Sequence, residues 1–418
     1  MTVPLALYRG AAGAAAPLVA IHLRRRAARG KEVADRLDER LGRAQAVRPE
    51  GGLVWVHAAS VGEALSSLPV IAEIEEGGAR CLLTTGTVTS ARLLAERVPD
   101  VLHRFAPVDT PGAVAGFLEA WRPDAALWME SELWPNLVRA TAARGVPMAL
   151  VNARMSAGSA RNWGFAKGSA AALLGAFALR LVQTEVVRER LLRLGADPVT
   201  TIVTGDLKAS RAPDPVDGVA LAAMRDAVGA RPVWLAASTH PGDEAAALDA
   251  HRALNVDGLL TIVAPRHPER GAEIAALAEA RGLSVTRRSG GGLPGGDVYV
   301  ADTLGELSLW YALAPVALIG GGWDGVGGHN PLEAAPHGCA ILSGDDVPSF
   351  ADTYARLEAA GAVRLLPSRS DLVGALREAM GSSGAAMAKT ARRAGEPDPV
   401  PLAKTMAALR PLLAGAMR

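Results

Sequence analysis

Short apolar runs of three to five residues recur along this chain, and most of them stop at a polar or glycine-bearing cluster. Leu53-Val54-Trp55-Val56 leads to His57-Ala58-Ala59-Ser60-Val61-Gly62-Glu63, and a helix is expected from about Ala64. Cys81-Leu82-Leu83-Thr84-Thr85, Ala125-Ala126-Leu127-Trp128-Met129, Pro147-Met148-Ala149-Leu150-Val151, Leu179 to Val182 and Thr201-Ile202-Val203 repeat the pattern. A second series follows: Val233-Trp234-Leu235-Ala236, Leu260-Thr261-Ile262-Val263, Val298-Tyr299-Val300, Val316-Ala317-Leu318-Ile319 and Ala340-Ile341-Leu342. Runs of this length bounded by turn signals read as buried strands. Helix-like stretches between them give alternating α/β order and hence a mainly parallel sheet in each half. Ligands in such sheets sit beyond the carboxyl ends of the strands, where the polar clusters fall.

The clearest cluster is Gly320–Glu333, GGGWDGVGGHNPLE, entered from the strand 316–319. Backbone without Cβ takes positive φ and comes close to a ligand. Asn330 suits an N-cap, Pro331 the first helical position and Glu333 the first turn. Strand, glycine loop and helix N-terminus together would aim amides and a positive dipole end at an anion such as a phosphate, with Glu333 as an acceptor for ribose hydroxyls. The opposing reading is a plain strand–helix turn.

The N-terminal pattern differs. Pro4 to Leu23 is apolar apart from Arg9 and His22, and Arg24-Arg25-Arg26, Arg29 and Lys31 follow. Charge after the apolar run is the wrong order for a signal peptide. As a spanning helix the segment is short and interrupted. An interfacial segment with its basic flank on anionic lipid fits better, against an ordinary docked helix. Mixed charges around Val33, Leu37 and Leu41 then suggest a short amphipathic helix.

Length divides the chain into a membrane-associating segment, 1–31, and two domains, 32–211 and 212–418, with Ala212-Pro213-Asp214-Pro215 as the linker. A formal net charge of +1 over 418 residues argues against a general nucleic-acid binder. Cys81 and Cys339 sit in apolar surroundings and read as buried thiols rather than a disulfide. No cluster has metal-ligand spacing, so neither metal nor cofactor is expected.

The second domain thus has nucleotide-side equipment: the glycine loop, Arg266 and His267, Glu306 and Glu333. The first has strand-end carboxylates, Glu63, Glu130 and Glu132, with Lys208 near the junction. A carboxylate suits deprotonation of an attacking hydroxyl, and a lysine suits charge developing on a phosphate leaving group. That is the layout of a metal-independent glycosyltransferase with two Rossmann-like domains and a cleft between them. Glu63 as a first-turn helix carboxylate, Lys208 as a solvated charge, His57 as a core histidine, Glu132 paired with an arginine and Trp134 as packing are the plain alternatives.

Taken in order, WVHAASVGE at 55–63, ESELWPN at 130–136, NARMS at 152–156, GDLK at 205–208, AASTH at 236–240, PRH at 265–267, GEL at 305–307 and GGHNPLE at 327–333 resemble the motifs of the 3-deoxy-D-manno-octulosonic acid (Kdo) transferases. The resemblance spans nearly the whole chain. It implies a GT-B fold and inverting transfer of Kdo from CMP-Kdo to lipid IVA. It places the work at the cytoplasmic face of the bacterial inner membrane, peripheral or N-terminally anchored, in lipopolysaccharide assembly. It makes Glu63 the general base and gives Glu130 and Lys208 transition-state stabilisation. It assigns CMP contacts to Arg266, His267, Leu304, Gly305, Glu306, Asn330, Pro331, Leu332 and Glu333. Two departures stand out. Asp206 replaces the family's usual Asn beside Lys208, and Gly344-Asp345-Asp346 with Ser349-Phe350 replaces a Gly-Pro-His run and a later Asn-Phe. The residues alone also admit a sugar-nucleotide epimerase, which would not need the basic N-terminus. A non-catalytic sugar-nucleotide-binding protein would not need Glu63 and Lys208 together.

Overall fold

The computed structural model describes residues 2–44, 47–210, 213 and 215–417. Of the expected linker, Ala212 and Asp214 lie outside the described residues. The chain forms two compact units, residues 1–211 with 398–418, and residues 212–397. Each is a Rossmann-like α/β unit around a seven-stranded sheet, counted among the described residues, whose strand pairs are all parallel.

In the first unit the strands are β1 (Leu53–His57), β2 (Arg80–Thr85), β3 (Leu102–Phe105), β4 (Ala125–Met129), β5 (Met148–Ala153), β6 (Leu179–Val182) and β7 (Thr201–Val203), in the order β3-β2-β1-β4-β5-β6-β7. Every residue of β1, β4 and β5 is buried, as helices on both faces of a parallel sheet require. The order reverses between β1 and β4, so the residues following those two strands share the topological switch point.

In the second unit β8 (Val233–Thr239), β9 (Leu260–Pro265), β10 (Val285–Arg287), β11 (Val298–Val300), β12 (Val316–Ile319), β13 (Ala340–Gly344) and β14 (Val363–Leu366) take the order β10-β11-β9-β8-β12-β13-β14. Here the reversal lies between β8 and β12. The apolar pattern did not mark β3, β10 and β14. All three are edge strands, and they carry His103, Arg104, Arg287 and Arg364. Charge on an edge strand guards it against pairing with other chains and erases the apolar signal.

The sequence assigned 212–418 to one domain, but its last stretch departs. Helix Pro399–Leu413 packs on the first unit, where Met406, Leu409 and Leu413 join the core around Val54, Val56 and Leu181. Fully burying a side chain of this size stabilises by about 1.5–3 kcal/mol. That outweighs the connectivity that would keep the helix with the unit preceding it. Asp398 N donates to Ala209 O at 2.8 Å, so the returning chain also braces the turn that carries Lys208.

The N-terminal segment is one continuous helix, Val3–Ala27, running through Arg9 and Pro17. Its 25 residues span about 37 Å at 1.5 Å each, enough by length and composition to cross a membrane. Arg9 does not break the helix, so the expected interruption is absent, and the helix has no distinct polar face. Leu5 and Leu23 are buried, whereas Val3, Leu7, Leu18 and Ile21 are exposed. Tyr8 anchors it by donating to Asp109 Oδ2 at 2.9 Å. At its end Arg26 is 3.1 Å from the buried Glu32. Both cysteines are buried and free.

Candidate functional site

In the first unit the switch point brings together Glu63, which follows β1, and Glu130, which follows β4. Ser60 caps helix Val61–Glu76, its hydroxyl oxygen accepting from Glu63 N at 3.3 Å. The Glu63 carboxylate folds back: Oε2 accepts from Ala59 N at 2.8 Å and Oε1 from the Ser60 hydroxyl at 3.0 Å. This orientation is that of an N-terminal capping residue, and the helix dipole favours its charge. Burial nevertheless dominates, with Glu130 and Glu132 adding repulsion, and pushes the carboxyl up to about 7. The cap fixes the carboxylate and burial tunes it, a geometry that fits the plain first-turn reading and a base alike.

Glu130 is buried and takes φ 55°, a left-handed conformation rare without a specific constraint. Its Oε1 lies 2.6 Å from Lys208 Nζ and its Oε2 lies 3.5 Å from Arg154. Lys208 is thus ion-paired rather than a solvated surface charge. Its turn, Leu207–Ser210, is held by Asn152 Oδ1, which accepts from Leu207 N at 3.0 Å. Asn152 is itself left-handed and fully buried. Gly205, at φ 94°, passes so close to Pro401 that a Cβ there would come within 3.0 Å of its ring, so the C-terminal helix abuts the same turn. Asp206 Oδ1 accepts from Lys208 N at 3.0 Å.

Glu132 accepts from the Trp134 indole N–H at 2.5 Å, where an arginine partner was the alternative. Trp134 is half exposed rather than packed. His57 is a core histidine only partly satisfied. Nδ1 meets Thr84 Oγ1 at 3.1 Å, Nε2 is buried without a partner among the described residues, and burial lowers its pKa to about 4.

In the second unit the ends of β11, β9, β8 and β12 are neighbours on one sheet edge. They carry Leu304–Glu306, Arg266 and His267, His240, and the loop reaching Asn330–Glu333. Glu306 is gripped by Arg288, Nε to Oε2 at 3.0 Å and a second nitrogen to Oε1 at 2.5 Å, and Thr303 also donates to it. These bonds, led by the guanidinium, lower its pKa. Leu304, Arg266 and His267 are exposed. Gly305 takes φ 84°.

The glycine loop is present, but the α-helix expected after it is not. Pro331–Glu333 and Ala335–His337 are single 3-10 turns. Pro336 supplies no N–H for a helix, and Gly338 ends the segment left-handed. Asn330 does cap its turn, accepting from Leu332 N at 3.1 Å, yet no helix dipole stands behind it. Several glycines answer packing rather than ligand approach. A Cβ on Gly322 would lie 2.7 Å from Gly344 backbone, and one on Gly328 would lie 2.7 Å from Val347.

The pattern of apolar runs passed over Asp243. It is fully buried, and its Oδ2 accepts from His240 N and from Gly321 N, each at 2.9 Å. One carboxylate thereby ties helix Pro241–Leu254 to the glycine loop. Its signal was legible: His240 as cap, Pro241 at the first helical position and an acid at the third. His240, whose N–H Asp243 accepts from, and His329 also went unassigned.

The family model described as 3-Deoxy-D-manno-octulosonic-acid transferase (kdotransferase) matches residues 35–211. The 3-deoxy-D-manno-octulosonic acid transferase of Bordetella pertussis is 39% identical over 407 residues, covering 91% of this chain and 94% of its own. That of Haemophilus influenzae is 31% identical over 360 residues, 82% of this chain and 83% of its own. Among solved structures, a glycosyltransferase from Rickettsia africae covers 87% of this chain and 99% of its own at a TM-score of 0.58 and 10% identity, a likeness of fold alone.

Proposed function

The chain belongs to the 3-deoxy-D-manno-octulosonic acid transferase family, and on that premise we propose that it transfers Kdo from CMP-Kdo to lipid IVA, with inversion and without a metal. It is a glycosyltransferase of GT-B fold, which sets aside the epimerase and non-catalytic readings. The observation that carries the finer proposal is the Glu63 carboxyl, fixed by Ala59 N–H and the Ser60 hydroxyl and pushed up to about 7 by burial. A base with that affinity for protons is matched to a sugar hydroxyl attacking at neutral pH.

The anomeric carbon of Kdo is a ketose centre, so its transition state resembles an oxocarbenium ion. Attack opposite the CMP phosphate inverts it. Glu63 takes the proton of the attacking hydroxyl as the new bond forms. Lys208, oriented by Glu130, supplies positive charge as the phosphate leaves, the task a metal would otherwise perform. The second unit holds CMP through Arg266, His267, Leu304, Gly305, Glu306, Asn330, Pro331, Leu332 and Glu333. Without an α-helix behind Asn330, the phosphate's stabilisation falls to side-chain charge and loop amides.

Helix Val3–Ala27, with Arg24 and Arg25 exposed at its end, associates with anionic lipid at the cytoplasmic face of the inner membrane, where the lipid acceptor is reached. An assay with radiolabelled CMP-Kdo and a lipid A precursor, run with and without a chelator, tests the reading. Label in the lipid, unaffected by the chelator, is expected. No label in the lipid would overturn the acceptor, and loss of product on chelation would overturn metal independence.

A further inference from the structure

Two imidazoles meet where the strand order of the second sheet reverses. His240 Nε2 and His329 Nε2 are 2.9 Å apart. Their rings are nearly parallel, 8° between planes with centroids 5.2 Å apart. At that separation one proton bridges the two nitrogens: one ring donates and the other accepts through its lone pair. A second proton would set N–H against N–H, so it enters only if a ring donates elsewhere. The backbone holds the encounter in place. His240 N is bound by Asp243, and His329 O accepts from the Tyr354 hydroxyl at 2.9 Å.

The groups facing the pair come from every neighbouring element. Arg266 and His267 follow β9, with the His267 ring centroid 6.1 Å from that of His240. Asp243 lies on helix Pro241–Leu254, and Asp324, in the glycine loop and paired with Arg369, acts on Asp243. Burial, then the neighbouring His240, Arg266 and His267, lower the His329 pKa to about 4. A phosphate on this edge would reverse that balance, cancelling the repulsion and offering an acceptor to a ring N–H.

We propose that His240 and His329 form a proton-gated contact for the donor's phosphate: one shared proton in the empty site, and one more taken up from solvent as the phosphate binds. This rests on the donor-site reading above. The added proton leaves the buffer and joins the lone pair of the accepting Nε2, and no other covalent bond changes. The bridge opens, and a ring N–H turns to a phosphate oxygen.

The test is calorimetric titration of CMP into the full chain at about pH 7.5, where its phosphate is largely a dianion, in two buffers of different protonation enthalpy. Wild-type heats should differ between buffers by the uptake of up to about one proton per CMP, and affinity should fall up to about tenfold per pH unit as pH rises. His240→Gln with His329→Gln keeps hydrogen-bonding side chains but leaves neither ring to hold an extra proton, so buffer dependence and the pH slope should vanish. CMP binding without proton uptake in the wild type overturns the proposal and leaves the donor site standing. Uptake that persists unchanged in the folded double variant places the proton on another group, His267 foremost, and also overturns it. Absence of CMP binding overturns the donor-site reading itself. Should the double variant fail to fold, nitrogen-15 imidazole spectra of the wild type decide: one bare Nε2 in the pair should become protonated on CMP addition, and an unchanged spectrum of a CMP-bound chain sinks the idea.

Discussion

Lys208 Nζ lies 2.6 Å from Glu130 Oε1, although the acid nearest it in sequence is Asp206, whose Oδ1 accepts from the lysine's backbone N–H. An Asn at 206 would therefore keep an acceptor for that N–H. Lys208→Met should lower turnover on the order of a hundredfold to a thousandfold, the scale for removing one preorganised charge from a reaction centre. Asp206→Asn should stay near wild type, because the amide oxygen still accepts. Steady-state rates at saturating donor check both, and an equal loss in the two variants would contradict the assignment.

Glu63→Gln keeps the size of the side chain and removes its basicity. Turnover should fall at least about a hundredfold, with CMP-Kdo affinity little changed. The carboxyl is raised from 4.5 to about 7, so the wild-type rate should climb as pH rises toward that value and then level. The sign for stability is opposite. Between those values the native state holds a proton that the unfolded chain has released, so Glu63 lowers stability as pH rises through the window. Thermal melts should show E63Q gaining on the wild type from pH 5 to pH 8. Parallel melting curves at both pH values would mean the group is not perturbed.

Glu333→Ala should weaken CMP binding about tenfold or more, since a hydrogen bond to a charged group is worth roughly 1.5–3 kcal/mol. Calorimetry on the folded variant measures this. Wild-type affinity would remove Glu333 from the donor site.

Asp243→Ala deprives His240 N and Gly321 N of their shared acceptor. Each buried donor left without a partner costs about 1–3 kcal/mol. The urea midpoint should drop, and CMP affinity should drop with it because the glycine loop loses its tether to helix Pro241–Leu254. A variant with an unchanged midpoint would show that water replaces the carboxylate.

Arg24→Glu with Arg25→Glu should weaken binding to anionic liposomes in a salt-sensitive way, each basic residue near such a surface contributing about 1 kcal/mol. Arg26 is left intact because it pairs with Glu32, and its reversal would disturb the fold. Binding equal to wild type at low salt would exclude this flank from the contact.

Much was decided locally. The strands carrying the site, β1, β4, β8, β9 and β12, are buried along their length except at Ser238 in β8, and so appear as largely apolar runs. Glu63, Glu130, Arg266 and Glu306 stand at strand ends, where a parallel sheet puts its chemistry. Local sequence also contained the cap Ser60 and the acid Glu63 three residues on. What local sequence lacks is information about partners distant along the chain. Strand order alone sets Glu130 beside Glu63 and His329 beside His240, residues 67 and 89 positions apart respectively. Burial, a property of the assembled core, raises the Glu63 carboxyl. The return of helix Pro399–Leu413 to the first unit depends on which core has room for Met406, Leu409 and Leu413. And the chain after Asn330, though it has every residue of a helix start, stays as two short 3-10 turns because Pro336 supplies no N–H and Gly338 ends the segment left-handed. Capping and patterning act over four residues and belong to sequence; ion pairs, proton sharing and burial need the tertiary structure that brings remote side chains within reach.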